Sequence, residues 1–199
     1  MSYKDYSSMQ LDALKEVGNI GVGNSATALS QLLNKKVDIT VPNVNIVPFD
    51  EFYKNGLAEK IVIGVLVRVL GDCPGNILFV FEEESALNIV RNLMGDHITE
   101  MNDMAMSALC EVGNIISSSY MNSISKFTNL AMMSSVPAIN CDMLGAMLTT
   151  VFMESGQYDE YVLDIETSFI QEGNNKTTGN FYFIPIPGAL EKILGSLGI

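Results

Sequence analysis

Two glutamates and two asparagines stand at one spacing in this chain, and the spacing occurs twice. Glu16 and Asn19 are three residues apart, as are Glu111 and Asn114. Each pair lies in the longer pattern Asp/Ser-x3-Glu-x2-Asn-x22-Pro, first as Asp12, Glu16, Asn19 and Pro42, then as Ser107, Glu111, Asn114 and Pro137, every position displaced by 95 residues. The pentapeptide Glu-Val-Gly-Asn-Ile is identical in both, at 16–20 and 111–115. A carboxylate can pair with a cation of another molecule. An amide can accept from a water and hold it in place. A repeated fold requires repeated apolar positions, not the same acid and amide in one register. The repeat therefore points to chemistry.

The element that must carry these groups is a helix. At about 100° per residue, with Asp12 at zero, Glu16 falls near 40° and Asn19 near −20°. Leu14, Val17, Gly21, Ala28 and Leu32 gather at about 140–200° and are expected to face a core. Ser107, Glu111 and Asn114 likewise oppose Leu109, Val112, Ile116, Ser123 and Phe127. Both acid–amide pairs should thus point outward on rigid supports. A single surface glutamate is ordinarily just solvated. Asparagine costs about 0.5–0.7 kcal/mol against alanine inside a helix, so two at one register call for a reason beyond solvation. Duplication copies residues without selection, but the two copies have otherwise diverged widely.

The whole chain reads as two copies, 6–100 and 101–199, forming one domain over 1–199. Each opens with a long helix, Ser8–Asn34 and Asp103–Phe127. An extended stretch follows, Lys36–Val41 and Leu130–Val136, ended by the motif proline. Next come a short segment at Phe49–Leu57 and a longer, methionine-rich helix at Asp142–Glu154. Two strands then follow in each copy, Ile61–Leu70 with Asn76–Phe81 and Glu160–Phe169 with Asn180–Pro185. Their turns, Asp72-Cys73-Pro74-Gly75 and Glu172-Gly173-Asn174-Asn175, suit hairpins. Closing helices span Ser85–Met94 and Gly188–Leu197. The closing matches are 104 residues apart, so the second copy carries nine extra residues. This order predicts an α+β fold of duplicated helix-strand-strand-strand-helix halves, related by a pseudo-twofold, with the two motif helices exposed on one side.

Bulk properties narrow the partners. Net charge is −12 with 11 basic residues among 199, which disfavours nucleic acid and anionic lipid. No run of about 18 uncharged apolar residues predicts a membrane span, and the N-terminus lacks a signal-like apolar region. Cys73, Cys110 and Cys141 match no metal or disulfide framework, so a reduced cytoplasmic setting is expected. His97, the one histidine, falls in a predicted loop, leaving no Ser/His or Cys/His arrangement. The glycines around Gly18, Gly21 and Gly23 lack the Lys-Ser/Thr of a phosphate loop; close helix packing explains them better, with Gly113 repeating Gly18. Methionines such as Met132, Met133, Met143, Met147 and Met153 read as core filler. The acids Glu82, Glu83 and Glu84 suit the start of a helix.

The paired motif resembles the signature of the CheC, CheX and FliY family of bacterial chemotaxis phosphatases, and the resemblance spans essentially the whole chain. Two motifs in one chain are similar to the CheC branch, and with the sequence ending at Ile199 the switch domain of FliY is not expected. The resemblance implies hydrolysis of the aspartyl phosphate of a CheY-type response regulator, with Glu16, Asn19, Glu111 and Asn114 as the acting residues and Asp12, Pro42, Ser107 and Pro137 as motif support. It implies a second partner, the receptor deamidase CheD, meeting the segment that contains Asp142, Leu144 and Gly145. It implies no cofactor of the chain's own, with Mg²⁺ held by the bound receiver. Two sites in one chain remove the obvious need to dimerise, so a monomer is expected. On this reading each asparagine orients the attacking water, as a glutamine does in GTP hydrolysis, and each glutamate docks a receiver lysine. The alternative is a non-catalytic adaptor that binds the receiver or CheD and regulates by sequestration. Such an adaptor has no need of an amide at that register.

Overall fold

The computed structural model describes residues 6–33, 36–40, 44–155, 161–171 and 176–199. Fourteen elements follow in order: α1 (Ser8–Leu33), β1 (Val37–Thr40), β2 (Val44–Pro48), α2 (Phe49–Lys54), β3 (Ile61–Gly71), β4 (Gly75–Phe81), α3 (Glu83–Met94), α4 (Asp103–Thr128), β5 (Met132–Ser134), β6 (Ala138–Met143), α5 (Leu144–Ser155), β7 (Tyr161–Gln171), β8 (Lys176–Pro185) and α6 (Ala189–Ser196). The result is a mixed helix–sheet fold whose eight strands form one antiparallel sheet in the order β1-β7-β8-β4-β3-β5, with β2 also pairing β7 and β6 also pairing β3.

Alternation along the central strands builds two cores, because successive side chains leave a strand on opposite faces. Ile63, Val65, Val67 and Val69 of β3, Ile77 and Phe79 of β4, and Phe181 and Phe183 of β8 share one core with Leu14, Val17, Leu109, Val112 and Ile116. Val62, Leu78, Val80, Tyr182 and Ile184 face the other way, against Phe52 of α2 and Leu144, Leu148 and Val151 of α5. The sheet is thus covered on both faces. Every residue of β4 is buried, which is why that segment reads as an unbroken apolar run instead of an alternating one.

The long helices α1 and α4 lie on the same face and touch. A Cβ on Gly21 would lie 2.3 Å from Cδ2 of Tyr120, so only glycine allows the approach. Alongside it the buried Ser25 hydroxyl lies 3.0 Å from the Gly21 carbonyl and 2.9 Å from that of Ile116. The Asn24 amide donates to Ser123 Oγ at 2.9 Å. Gly113 has a different task. Its missing Cβ would lie 2.5 Å from Cγ1 of Val65, so it seats α4 on β3.

Several expectations are corrected. Val44–Pro48 and Ala138–Met143 are strands, giving each half two strands before its middle helix, not one. The helix expected over Asp142–Glu154 starts at Leu144, because Asp142 and Met143 still pair with Val62 and Ile61. Leu32 and Phe127 are 43% and 52% exposed although Leu29, Ile124 and Thr128 beside them are buried, because the buried stripe turns away from them toward the end of each helix. Of the methionines read as filler, Met132 and Met147 are buried while Met133, Met143 and Met153 are exposed. Gly18 and Gly23 face no neighbour, so close helix packing explains Gly21 alone of the three. Asn34, Val41, Pro42, Glu160 and the 172–175 turn lie outside the described residues.

Candidate functional site

Each motif helix is started by a local device. Ahead of α1 the Ser7 backbone N–H donates to Gln10 Oε1 at 2.9 Å and the Gln10 N–H donates to Ser7 Oγ at 3.3 Å. This reciprocal capping box satisfies two N–H groups that a helix start leaves without partners. Ahead of α4, Asn102 Oδ1 accepts from the Ala105 N–H at 3.0 Å. Asn129 closes α4 in the left-handed conformation, φ 57°, which asparagine tolerates better than most residues.

On these helices Leu14 and Val17, and Leu109 and Val112, are 4% exposed or less and clamp the inward face. The opposite face is then necessarily outward. Asp12, Glu16, Ser107 and Glu111 are exposed, while Asn19 and Asn114 are half-buried. In the second pair the Asn114 amide Nδ2 donates to Glu111 Oε2 at 3.4 Å. That contact points Nδ2 toward the acid and leaves the carbonyl Oδ1 available to accept from another group. Among the described residues, Glu16 and Glu111 keep exposed side chains and Asn19 and Asn114 keep part of their surface open.

Pro137 stands in the connection from β5 to β6, and its carbonyl accepts from the Cys110 thiol at 3.7 Å. Cys110 immediately precedes Glu111. The motif proline is therefore held against α4 beside the acid, although it lies 26 residues beyond Glu111 in the chain. Burial, with Glu111 adding to it, pushes the Cys110 thiol up. The sequence pattern predicts only a strand-ending role for Pro137; its contact with the helix comes from the fold. The repeated 22-residue gap before it was the available signal.

The three residues expected to meet a second partner are not equivalent. Asp142 is exposed at the end of β6, its Oδ1 accepting from the Met143 N–H at 2.8 Å. Leu144 is buried in the second core. Gly145 is buried against Ala58, where a Cβ would lie 2.9 Å from that residue's own Cβ. Of the three, only Asp142 presents a side chain outward. The backbone N–H groups of Leu144 and Gly145 donate to the carbonyls of Lys60 and Ala58, both at 2.9 Å, and anchor the start of α5.

With this geometry in hand, likeness to known proteins has a definite content. The CheC-like family matches residues 9–46, and the family of the chemotaxis phosphatase CheX matches residues 63–159. The CheY-P phosphatase CheC of Bacillus subtilis (strain 168) is 35% identical over 196 residues, covering 95% of this chain and 94% of that protein. The flagellar motor switch phosphatase FliY of the same organism is 41% identical over 90 residues, 45% of this chain and 23% of that protein. The crystal structure of Thermotoga maritima FliY has the same fold, with a TM-score of 0.79 at 23% identity over 98% of both chains. With a CheY-P phosphatase similar over nearly the whole chain, the class that the fold and sequence define is that of the chemotaxis phosphatases. The chain belongs to the CheC-like family of phosphatases.

Proposed function

We propose that this chain hydrolyses the aspartyl phosphate of a CheY-type receiver domain through two helix-borne sites, Glu16/Asn19 and Glu111/Asn114. The observation that carries the proposal is the outward presentation of both acid–amide pairs at one register on α1 and α4. The full-length similarity to a CheY-P phosphatase supports the choice of substrate.

An aspartyl phosphate is an acyl phosphate and needs chiefly a well-placed water. The receiver brings its own lysine and Mg²⁺ as part of the substrate. Asn114 Oδ1, or Asn19 Oδ1, accepts from a water and holds it opposite the P–O bond to the aspartate. The water oxygen bonds to phosphorus, the bond to the carboxylate oxygen breaks and its electron pair leaves the aspartate as a carboxylate, and both of the water's protons leave on inorganic phosphate as dihydrogen phosphate. Glu16 and Glu111 pair with the receiver lysine and set the register of the inserted amide. In the second site the Glu111–Asn114 hydrogen bond supports this by limiting the rotation of the amide before the receiver arrives.

Two copies of one half, related by a pseudo-twofold, account for the paired sites. Leu78 stands opposite Tyr182 in the β4–β8 register, and these residues are 104 apart, the displacement of the closing matches. The β1–β7 and β5–β3 pairings exchange strands between halves in the same sense. A CheD-type deamidase is proposed as a second partner, approaching exposed Asp142 on the α5 side. The setting is cytoplasmic, where phosphorylated receivers reside. No helix among the described residues is long and apolar enough to cross a membrane.

The test is phosphate release from a phosphorylated CheY-type receiver. The unaltered chain should accelerate it, and Asn19→Ala with Asn114→Ala should abolish the acceleration. Full activity of that double variant would end the asparagine mechanism, and a failure of the unaltered chain to accelerate release would favour sequestration by an adaptor.

A further inference from the structure

We infer that Met9 and Met104 are docking residues for the receiver domain, forming an apolar contact ahead of each acid and amide. The inference rests on the receiver-phosphatase reading above and adds to it how the partner is recognised. Both residues lie in the first turn of a motif helix, and they are 68% and 62% exposed. Their displacement is 95 residues, the same as for Glu16 and Glu111 or Asn19 and Asn114. With Asp12 at zero, Met9 falls at about 60°, beside Glu16 at about 40°. Met9, Asp12, Glu16 and Asn19 therefore form one continuous outward stripe, as do Met104, Ser107, Glu111 and Asn114.

Other exposed methionines behave differently. Met133 and Met143 are 65% and 47% exposed, but the residues 95 positions earlier are Asp38 and Pro48. Only the methionine on the functional stripe is kept in both halves. An unbranched thioether on a helix surface gains little from water, yet adapts well to an apolar partner. Helix rise places Met9 about 10 Å from Glu16 and about 15 Å from Asn19 along the axis. The receiver surface that fits must therefore carry an apolar patch about 15 Å from its phosphorylated aspartate, beyond the lysine that the glutamate engages.

The experiment uses the full chain with Met9→Gln and Met104→Gln together. Glutamine keeps the unbranched shape and nearly the same helix propensity. Kd is measured for a CheY-type receiver trapped with Mg²⁺ and beryllium trifluoride, and KM and kcat are measured for the phosphorylated receiver. Kd and KM should each rise about tenfold, the loss expected when apolar anchors at an interface are made polar. At saturating receiver, kcat should stay within about twofold. A Kd within about twofold of the unaltered chain overturns the inference, as does a change in self-association in place of receiver binding. Asn19→Ala with Asn114→Ala, run in parallel, should lose far more hydrolysis than binding. If that variant hydrolyses normally, the water-orienting role falls while the methionine contact still stands or falls on Kd. If the unaltered chain binds no receiver, both fall.

Discussion

Gly21 of α1 and Tyr120 of α4 meet so closely that a Cβ on the glycine would lie 2.3 Å from the ring carbon Cδ2. The tyrosine cannot retreat, because its ring is buried and packs against Phe181, tilted 53° with centroids 4.9 Å apart. This contact sets the separation of the two helices that carry Glu16, Asn19, Glu111 and Asn114. Gly21→Ala should therefore destabilise the fold by about 1–3 kcal/mol, the usual cost of overpacking a rigid core. Denaturant unfolding measures it, and a change below about 0.5 kcal/mol would contradict the described packing.

The two proposed sites predict a particular pattern for the asparagine variants. Asn19→Ala or Asn114→Ala alone leaves one intact site, so phosphate release should fall by no more than about the share of the altered site. The double variant should fall by about 100-fold, near 2.7 kcal/mol of barrier. Neither change should lower thermal stability appreciably, since both amides lie on an outward face. Glu16→Lys with Glu111→Lys should instead weaken receiver binding by charge reversal, again with the fold intact. Unfolding of either glutamate variant would show that the stripe bears on stability.

The three thiols should react in a definite order. Cys141 is exposed on β6, Cys110 is half-buried, and Cys73 is buried. Burial pushes the Cys73 and Cys110 thiols up, which lowers the thiolate fraction that alkylates. Mass spectrometry after brief iodoacetamide treatment of the native chain should find Cys141 modified first, Cys110 later and Cys73 only on unfolding. Early modification of Cys73 would be inconsistent with its place in the first core.

Alkaline stability should depend on Tyr120 and Tyr182. Burial holds both phenols well above their ordinary range, and Asp164 adds to the effect on Tyr182. Unfolded phenols ionise near pH 10 or so, before the folded ones. The unfolded state then binds fewer protons, so stability is fully present below about pH 10 and falls as pH rises above it. The urea midpoint should be level up to about pH 9 and decline beyond about pH 10. Tyr182→Phe should soften that decline, and an identical decline in the variant would assign the effect elsewhere.

Much of this protein is legible from residue order. The 95-residue repeat marks both candidate sites. Three-dimensional packing was not needed to turn Glu16, Asn19, Glu111 and Asn114 outward, because Leu14, Val17, Leu109 and Val112 fill the opposite face of each helix and helical period does the rest. The two hairpin strands of the first half and the closing helices were legible for the same reason, since they bury regular apolar patterns against a continuous core.

Other features needed the fold. β2 and β6 were missed because a strand of five or six residues on a sheet edge earns its identity from β7 and β3, far away in the chain. Leu32 and Phe127 sit on the apolar side predicted from the first turns yet face solvent, because the buried stripe drifts round each helix to Leu29, Ile124 and Thr128. Leu144 and Gly145 read as surface until α5 is seen packed on Ala58 and the second core. Pro137 reaches α4 only through the β5–β6 connection. Local periodicity specifies which way a side chain points from its own element. What stands opposite that side chain depends on contacts between segments distant in sequence, and no local pattern encodes those.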